Sequence, residues 1–135
     1  MNDLVLMPDW SGLFLGLFAL FAGIGELRKP GHWQRMMDEI TRSPALQVIT
    51  ALIELFVGAI VYIVNPWSSP GWLAHVMSVL GALMCIEALL ILAFSDRYLP
   101  ILARRLGVMA RVWAIVSVAF GLILIVLALP GFMNA

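Results

Sequence analysis

Four long apolar stretches, rather than any motif, restrict what this chain can fold into. They cover about residues 10–27, 44–64, 72–94 and 108–129. A helix needs about 20 mostly apolar residues to cross a bilayer, and lipid leaves every backbone N–H and C=O to be satisfied within its own segment. The sequence therefore predicts an all-α fold, an integral membrane four-helix bundle that forms one domain over residues 1–135.

The composition indicates lipid as the solvent. Hydrophobic residues make up 63% of the 135 residues and charged residues 12%, whereas a soluble domain is nearer half apolar and a quarter charged. The single Cys85 can form neither an internal disulfide nor a CxxC pair. The formal net charge is zero, so no nucleic-acid partner is expected, and the predicted surroundings are the lipid bilayer.

The basic residues predict the orientation. All eight Lys and Arg residues lie between the first two spans, between the last two, or just inside the fourth. By the positive-inside rule, both basic connections of a multi-pass membrane protein face the cytoplasm and both termini face outward. The basic residues are Arg28, Lys29, Arg35, Arg42, Arg97, Arg104, Arg105 and Arg111.

Both basic connections have apolar residues at helical spacing. Such amphipathic segments lie at the headgroup boundary. The order span, amphipathic segment, span occurs twice, which predicts two similar halves related by an axis along the membrane normal. The apolar positions are Trp33, Met36, Met37 and Ile40 in the first segment, and Tyr98, Leu102 and Leu106 in the second.

Small residues follow stripes along three of the predicted spans. In lipid, small residues let helices approach closely, so the stripes predict a tight left-handed bundle. The alternative is that one stripe is an interface with a second copy or with a partner membrane protein. The stripes are Gly12, Gly16, Ala19 and Gly23 in the first span, Ala74, Ser78, Gly81, Cys85 and Ala88 in the third, and Ala110, Ala114, Ser117 and Gly121 in the fourth.

Three carboxylates and one arginine are the candidate intramembrane polar site: Glu26, Glu54, Glu87 and Arg111. At 1.5 Å per residue, Glu54 lies roughly 15 Å and Glu87 roughly 12 Å deep. Helical phase puts Glu54 on a small, polar face that points into the bundle, and Glu87 is expected to face a different cleft or a partner. Glu26 is expected to be satisfied by neighbouring basic residues, and Arg111 reaches either an acid or the headgroups.

Glu54 has two interpretations. The first is a protonated carboxyl that donates a hydrogen bond to a neighbouring helix, because burial disfavours the charged form. The second is a site that binds a proton, a cation or a polar ligand, because an ionisable residue inside the membrane marks a functional site by default. No HExxH, GxSxG, phosphate-binding loop or CxxC motif is present. We therefore expect no catalytic residues, metal site or cofactor.

The first half of the chain resembles the DoxX-like group of small four-span bacterial membrane proteins. The resemblance is carried by FAGIGELRKP, residues 21–30, and IELFVG, residues 53–58. That group tends to have Lys where this chain has Glu26, so a pair between that Lys and the acid of the second span is missing here. Some members are associated with thiosulfate:quinone oxidoreduction or with oxidative-stress complexes, and the resemblance makes a quinone-linked redox subunit one of the alternatives for this chain.

Three functional hypotheses follow. The leading one is a structural or accessory subunit of a membrane complex, without catalysis of its own, that binds a membrane-protein partner or further copies of itself. The second is a proton- or ion-linked transport element that uses Glu54 within an oligomer. The third is a DoxX-like quinone-linked redox subunit.

Overall fold

The computed structural model describes residues 7–68 and 71–133, and within these ranges the chain is all-helical, with no strand. The helices are α1 Met7–Arg28, α2 His32–Arg42, α3 Pro44–Val64 and α4 Trp72–Met133. Among the described residues, α1, α3 and α4 are long and apolar enough to cross a membrane. The predicted outer positions of residues 1–6 and 134–135 lie outside the described residues.

Short, well-defined connections separate the first three helices. Gly31 joins α1 to α2 with a φ of 89°, a left-handed conformation that glycine adopts without steric cost. Ser43 then separates α2 from α3. Its Oγ accepts a hydrogen bond from Leu46 N at 3.3 Å, and Pro44 occupies the first helical position, where a missing N–H costs nothing. The second predicted span and α3 therefore cover the same residues.

Helix α4 is not straight. Its backbone leaves helical geometry at Phe94 (φ −132°, ψ 38°) and at Met109 (φ −124°, ψ 29°). These breaks divide α4 into a first segment (72–93), a middle segment (95–108) and a last segment (110–133). A Cβ on Gly12 would lie 3.7 Å from both Leu73 and Ala128. These two residues would be roughly 80 Å apart in a straight helix, so α4 folds back on itself.

The last segment of α4 packs antiparallel against α1. A Cβ added to Gly121 would lie 2.5 Å from Gly16 O, so the two backbones meet where neither helix has a side chain. Ser117 Oγ also donates a hydrogen bond to Ala19 O at 2.7 Å. The small-residue stripes expected in the first and fourth spans face each other, and within this chain they form a helix–helix contact.

The first segment of α4 packs in the same way against α3. A Cβ on Gly81 would lie 2.7 Å from Gly58 O, and a Cβ on Gly58 would lie 2.9 Å from Gly81 O. Cys85 Sγ lies 3.9 Å from Leu55 O, a weak thiol–carbonyl contact. Helices α1 and α3 and the first and last segments of α4 therefore form two antiparallel pairs, each in close contact at a pair of glycines.

Two apolar clusters join the helix pairs. The outer cluster centres on Val61, Met77 and Leu124, and so combines α3 with both ends of α4. The inner cluster joins α3 and the first segment of α4 to Met37 of α2 and Leu99 of the middle segment. Both amphipathic segments therefore cover the same end of the helix pairs. The inner cluster comprises Met37, Ala51, Ala88, Ile91 and Leu99, and Tyr98, Leu102 and Leu106 pack against it.

One residue of the predicted apolar face of α2 points away from the inner cluster. Met36 is 46% exposed, whereas Met37 is buried. The face of α2 that meets the inner cluster is narrow. Met37 belongs to the cluster, and Ile40 packs against it. Met36 lies about 100° around the helix from Met37, outside this face.

A buried amide ties the opposite ends of α1 and α3 together. Asn65 is fully buried. Its Nδ2 donates to Val61 O at 2.8 Å and to Ser11 Oγ at 3.1 Å. Ser11 in turn donates to Pro8 O at 3.0 Å. This chain of hydrogen bonds fixes the start of α1 on the end of α3.

Candidate functional site

Glu54 and Glu87 form a carboxyl pair between α3 and the first segment of α4. The antiparallel register that joins Gly58 to Gly81 continues inward and puts Ala51 and Ala88 in one cluster. Glu54 lies on α3 at the same level as Glu87, and the two carboxyls are close enough to interact through their charges. The expectation that Glu87 faces a different cleft is therefore wrong. Helical phase gave the direction of its Cβ but not the reach of its long side chain.

Tyr98 completes this site. It lies on the middle segment of α4, outside the long apolar segments that carry Glu54 and Glu87. Its hydroxyl lies near the carboxyls of Glu87 and Glu54. Burial raises the pKa of Tyr98 to about 12, with the charge and hydrogen bond of Glu87 and the charge of Glu54 adding to the effect. The phenol is therefore a protonated donor at neutral pH. The sequence analysis assigned Tyr98 only to the apolar face of an amphipathic segment. The signal that could have identified it is its hydroxyl, because a tyrosine hydroxyl usually has a hydrogen-bond partner when it is buried.

The carboxyl pair can hold a proton. Treated as two carboxylates, the pair leaves Glu54 Oε1 buried without a hydrogen bond, and buried polar atoms are normally satisfied. A proton on either carboxyl converts the contact into a hydrogen bond. Two neighbouring carboxylates repel each other, and one shared proton would remove that repulsion. The arrangement of Glu54, Glu87 and Tyr98 is therefore chemically suited to taking up and giving up one proton.

Glu26 belongs to a different part of the molecule. It is 3% exposed, and its two oxygens accept hydrogen bonds from Gly31 N at 2.8 Å and Trp33 N at 2.7 Å. It thereby satisfies backbone N–H groups at the start of α2, where a negative charge is also favoured by the helix dipole. Its backbone partners, rather than neighbouring basic side chains, account for its burial.

Arg111 lies with Glu26 and not with the carboxyl pair. Both line a cavity of about 650 Å³ between the end of α1, the start of α2 and the break at Met109. Gln34 lines it as well, and Gln34 Oε1 is buried without a hydrogen bond. We call this space the inner cavity. Gln34 was not singled out by the sequence, because an amide on a short amphipathic helix carries no distinguishing pattern.

A second space, the aromatic groove, measures about 420 Å³. Its walls are mostly apolar and come from α2 and from the middle and last segments of α4. One charged group, Arg105, and one hydroxyl, Ser117, border it. These residues suit a long apolar molecule with a polar head. The groove is lined by Trp33, Leu102, Arg105, Leu106, Trp113, Val116, Ser117 and Phe120.

Among residues 7–68 and 71–133, no group of three or more His, Cys, Asp or Glu side chains is arranged to hold a metal ion. Comparison with protein-family models finds no match, and comparisons with curated proteins and with solved structures likewise find none. The DoxX-like resemblance accordingly stays a hypothesis that rests on the residues quoted for it.

Proposed function

We propose that the chain is a four-span protein of the bacterial inner membrane, in which the first and last segments of α4 each cross the bilayer. The fold-back of α4 and the glycine contacts of both helix pairs support this arrangement. Both termini are outside. Helix α2 and the middle segment, which carry most of the basic residues, lie at the cytoplasmic surface.

We further propose that the protein binds and releases a proton at Glu54 and Glu87, as an element of proton-linked transport. The observation that carries this proposal is that two carboxyls lie near each other in the apolar part of the chain, with Glu54 Oε1 buried and without a hydrogen bond. Acids that pair inside a membrane protein are typical of proton relays. Four spans leave little room for a pathway within one chain, so further copies or a partner protein complete it.

The first experiment detects the bound proton directly. Infrared spectra of the purified protein in lipid nanodiscs at neutral pH should contain the carbonyl stretch of a protonated carboxyl. Glu54→Gln should remove that band, whereas Glu39→Gln, at an exposed position on α2, should leave it. A wild-type spectrum without the band would refute the shared proton.

The second experiment tests transport. The protein is reconstituted into vesicles that contain a pH-sensitive dye, and a potassium gradient with valinomycin sets the membrane potential. Wild type and Glu39→Gln should acidify the vesicles faster than Glu54→Gln, because Gln cannot exchange the proton. Helix content and thermal stability of Glu54→Gln should stay close to wild type, since Gln keeps the shape. Equal proton flux for wild type and Glu54→Gln, with both folded, would reject proton-linked transport.

A second candidate function is that of a quinone-linked redox subunit, which the aromatic groove favours. Its apolar walls fit an isoprenoid tail, and Arg105 at its edge offers donors to a ring carbonyl. Organic extraction of protein purified in mild detergent should then yield quinone in stoichiometric amounts. Trp113→Ala should lower the yield. Phospholipid as the only extracted molecule would count against this candidate.

The role of structural or accessory subunit stays a prediction. It requires larger membrane proteins that copurify with the chain in gentle detergent, and mass spectrometry of the purified material tests it. A chain that purifies alone or only with its own copies would contradict this role while leaving the proton-binding proposal intact.

A further inference from the structure

The inner cavity combines two kinds of polar group in one space. Gln34 Oε1 is a buried acceptor without a hydrogen bond. Its orientation is defined, because Gln34 Nε2 donates to Asp38 Oδ1 at 3.2 Å and so turns the oxygen away from Asp38. Arg111 lines the same cavity and supplies only donors. The cavity therefore presents an acceptor and a cation together.

Glu26 adds negative charge to the acceptor side. Each of its carboxylate oxygens accepts one backbone N–H, which leaves further acceptor capacity on both. A group that fits beside Gln34 Oε1 and Glu26 is a cation with N–H donors. A group that fits beside Arg111 is an anion, and guanidinium groups match phosphate especially well. The complementary ligand is a zwitterion that carries a primary ammonium and a phosphate.

We propose that the inner cavity binds the headgroup of phosphatidylethanolamine, with its ammonium at Gln34 and Glu26 and its phosphate at Arg111. The volume of about 650 Å³ is in the range of small-ligand sites. The cavity lies at the end of α1, beside Arg28 and Lys29, which is headgroup level in the proposed orientation. The inference rests on the proposed orientation in one respect, because that orientation decides which leaflet supplies the lipid. It does not depend on proton binding at Glu54 and Glu87.

Gly107 offers a way to disturb the acceptor without removing a polar group. It is exposed, and a Cβ at this position would lie 2.9 Å from Gln34 Oε1, closer than real Cβ contacts come. The methyl group of Gly107→Ala would therefore displace Gln34 Oε1 from the position in which it meets the ammonium. The same change improves helix propensity, so it should not unfold the chain.

Native mass spectrometry tests the proposal on protein given an equimolar mixture of phosphatidylethanolamine, phosphatidylcholine and phosphatidylglycerol. The expected result is at least about fivefold preference for phosphatidylethanolamine over phosphatidylcholine, the effect of one hydrogen bond, because the choline headgroup has no N–H. Gln34→Met and Gly107→Ala should bring this ratio close to one. Arg111→Gln should lower retention of all three phosphate headgroups, whereas Arg104→Gln, which lines neither space, should change nothing.

Equal retention of the ethanolamine and choline lipids by wild type would overturn the proposal, and so would preference for phosphatidylglycerol, which marks a simple anion site. Soluble phosphoethanolamine separates the two sources of this headgroup. If it does not raise the melting temperature of the lipid-free protein while the lipid preference holds, the ligand is the lipid. If it does raise that temperature and Gln34→Met abolishes the rise, the cavity binds the soluble compound, and the assignment to a lipid fails.

Discussion

Replacing Gly23 by Ala tests whether the contact between α1 and the last segment of α4 is as close as the glycines imply. A Cβ at Gly23 would lie 2.7 Å from Ala114 O, 2.7 Å from Val118 Cγ2 and 3.0 Å from Val118 N. Two of these atoms belong to the backbone and cannot be moved by a change of rotamer. Ordinary contacts of a Cβ begin at 3.4 Å, so α1 has to withdraw by roughly 0.7 Å, which forfeits about a quarter to a half of each dispersion contact along the seam.

Gly25 provides the matched control for this change. It lies two residues further along α1, and a Cβ there would meet nothing within 4 Å. Both substitutions gain the same helix propensity, about 1 kcal/mol, which cancels in the comparison. Overpacking costs about 1–3 kcal/mol, so Gly23→Ala should be less stable than Gly25→Ala by about that amount. The free energy of unfolding, measured by titration from mild detergent into sodium dodecyl sulfate, gives the difference. Equal stabilities would refute the close contact.

Three further predictions concern other parts of the chain. Glu26→Gln should lower the free energy of unfolding by about 1–3 kcal/mol, because its amide nitrogen meets backbone N–H groups that need an acceptor; exposed Glu39→Gln is the control, and equal stability of the two would contradict the capping role. The ultraviolet titration of wild type minus that of Tyr98→Phe should show a phenol that ionises near pH 12, and the associated stability, complete below pH of about 10, should be lost as the pH rises through 12. Ionisation near pH 10 would contradict the burial of Tyr98. Arg35→Cys and Arg104→Cys, in a chain without its native thiol, should react with membrane-impermeant reagents only from the cytoplasmic side, and labelling from outside would invert the topology.

The long helices could be predicted from the sequence, because the length of each apolar stretch sets where a helix can form. Lipid allows no alternative to hydrogen-bonded helix, so α1, α2 and α3 follow from apolar length, helical periodicity and the positions of prolines. The small-residue stripes of α1 and of the last segment of α4 also pack against each other, since close approach requires small residues on both sides. In α4 the breaks at Phe94 and Met109 fall where the third predicted span ends and the fourth begins, and the middle segment covers the predicted amphipathic connection. What the sequence could not supply was the path of that middle segment relative to the other helices.

The candidate site was only partly predictable for the same reason. Glu54 was recognised as inward-facing from its neighbours, but the position of Glu87 depends on the antiparallel register set by Gly58 and Gly81. Tyr98 reaches the pair only because the break at Phe94 turns the middle segment across the end of the helices. Asn65 had no sequence signal at all, since a single asparagine before a proline is typical of an ordinary turn.

A ribosome delivers α1 to the membrane long before the helix that covers it exists. Ala19 and its hydrogen-bond partner Ser117 are 98 residues apart, and synthesis of that length takes about 5–20 s at about 5–20 residues per second. During this interval the glycine face of α1 meets only lipid or another protein of the insertion machinery. Helix α3, in contrast, meets its own partner as soon as the next segment is made. We therefore expect the hairpin of α3 and the first segment of α4 to assemble before the last segment of α4 covers α1.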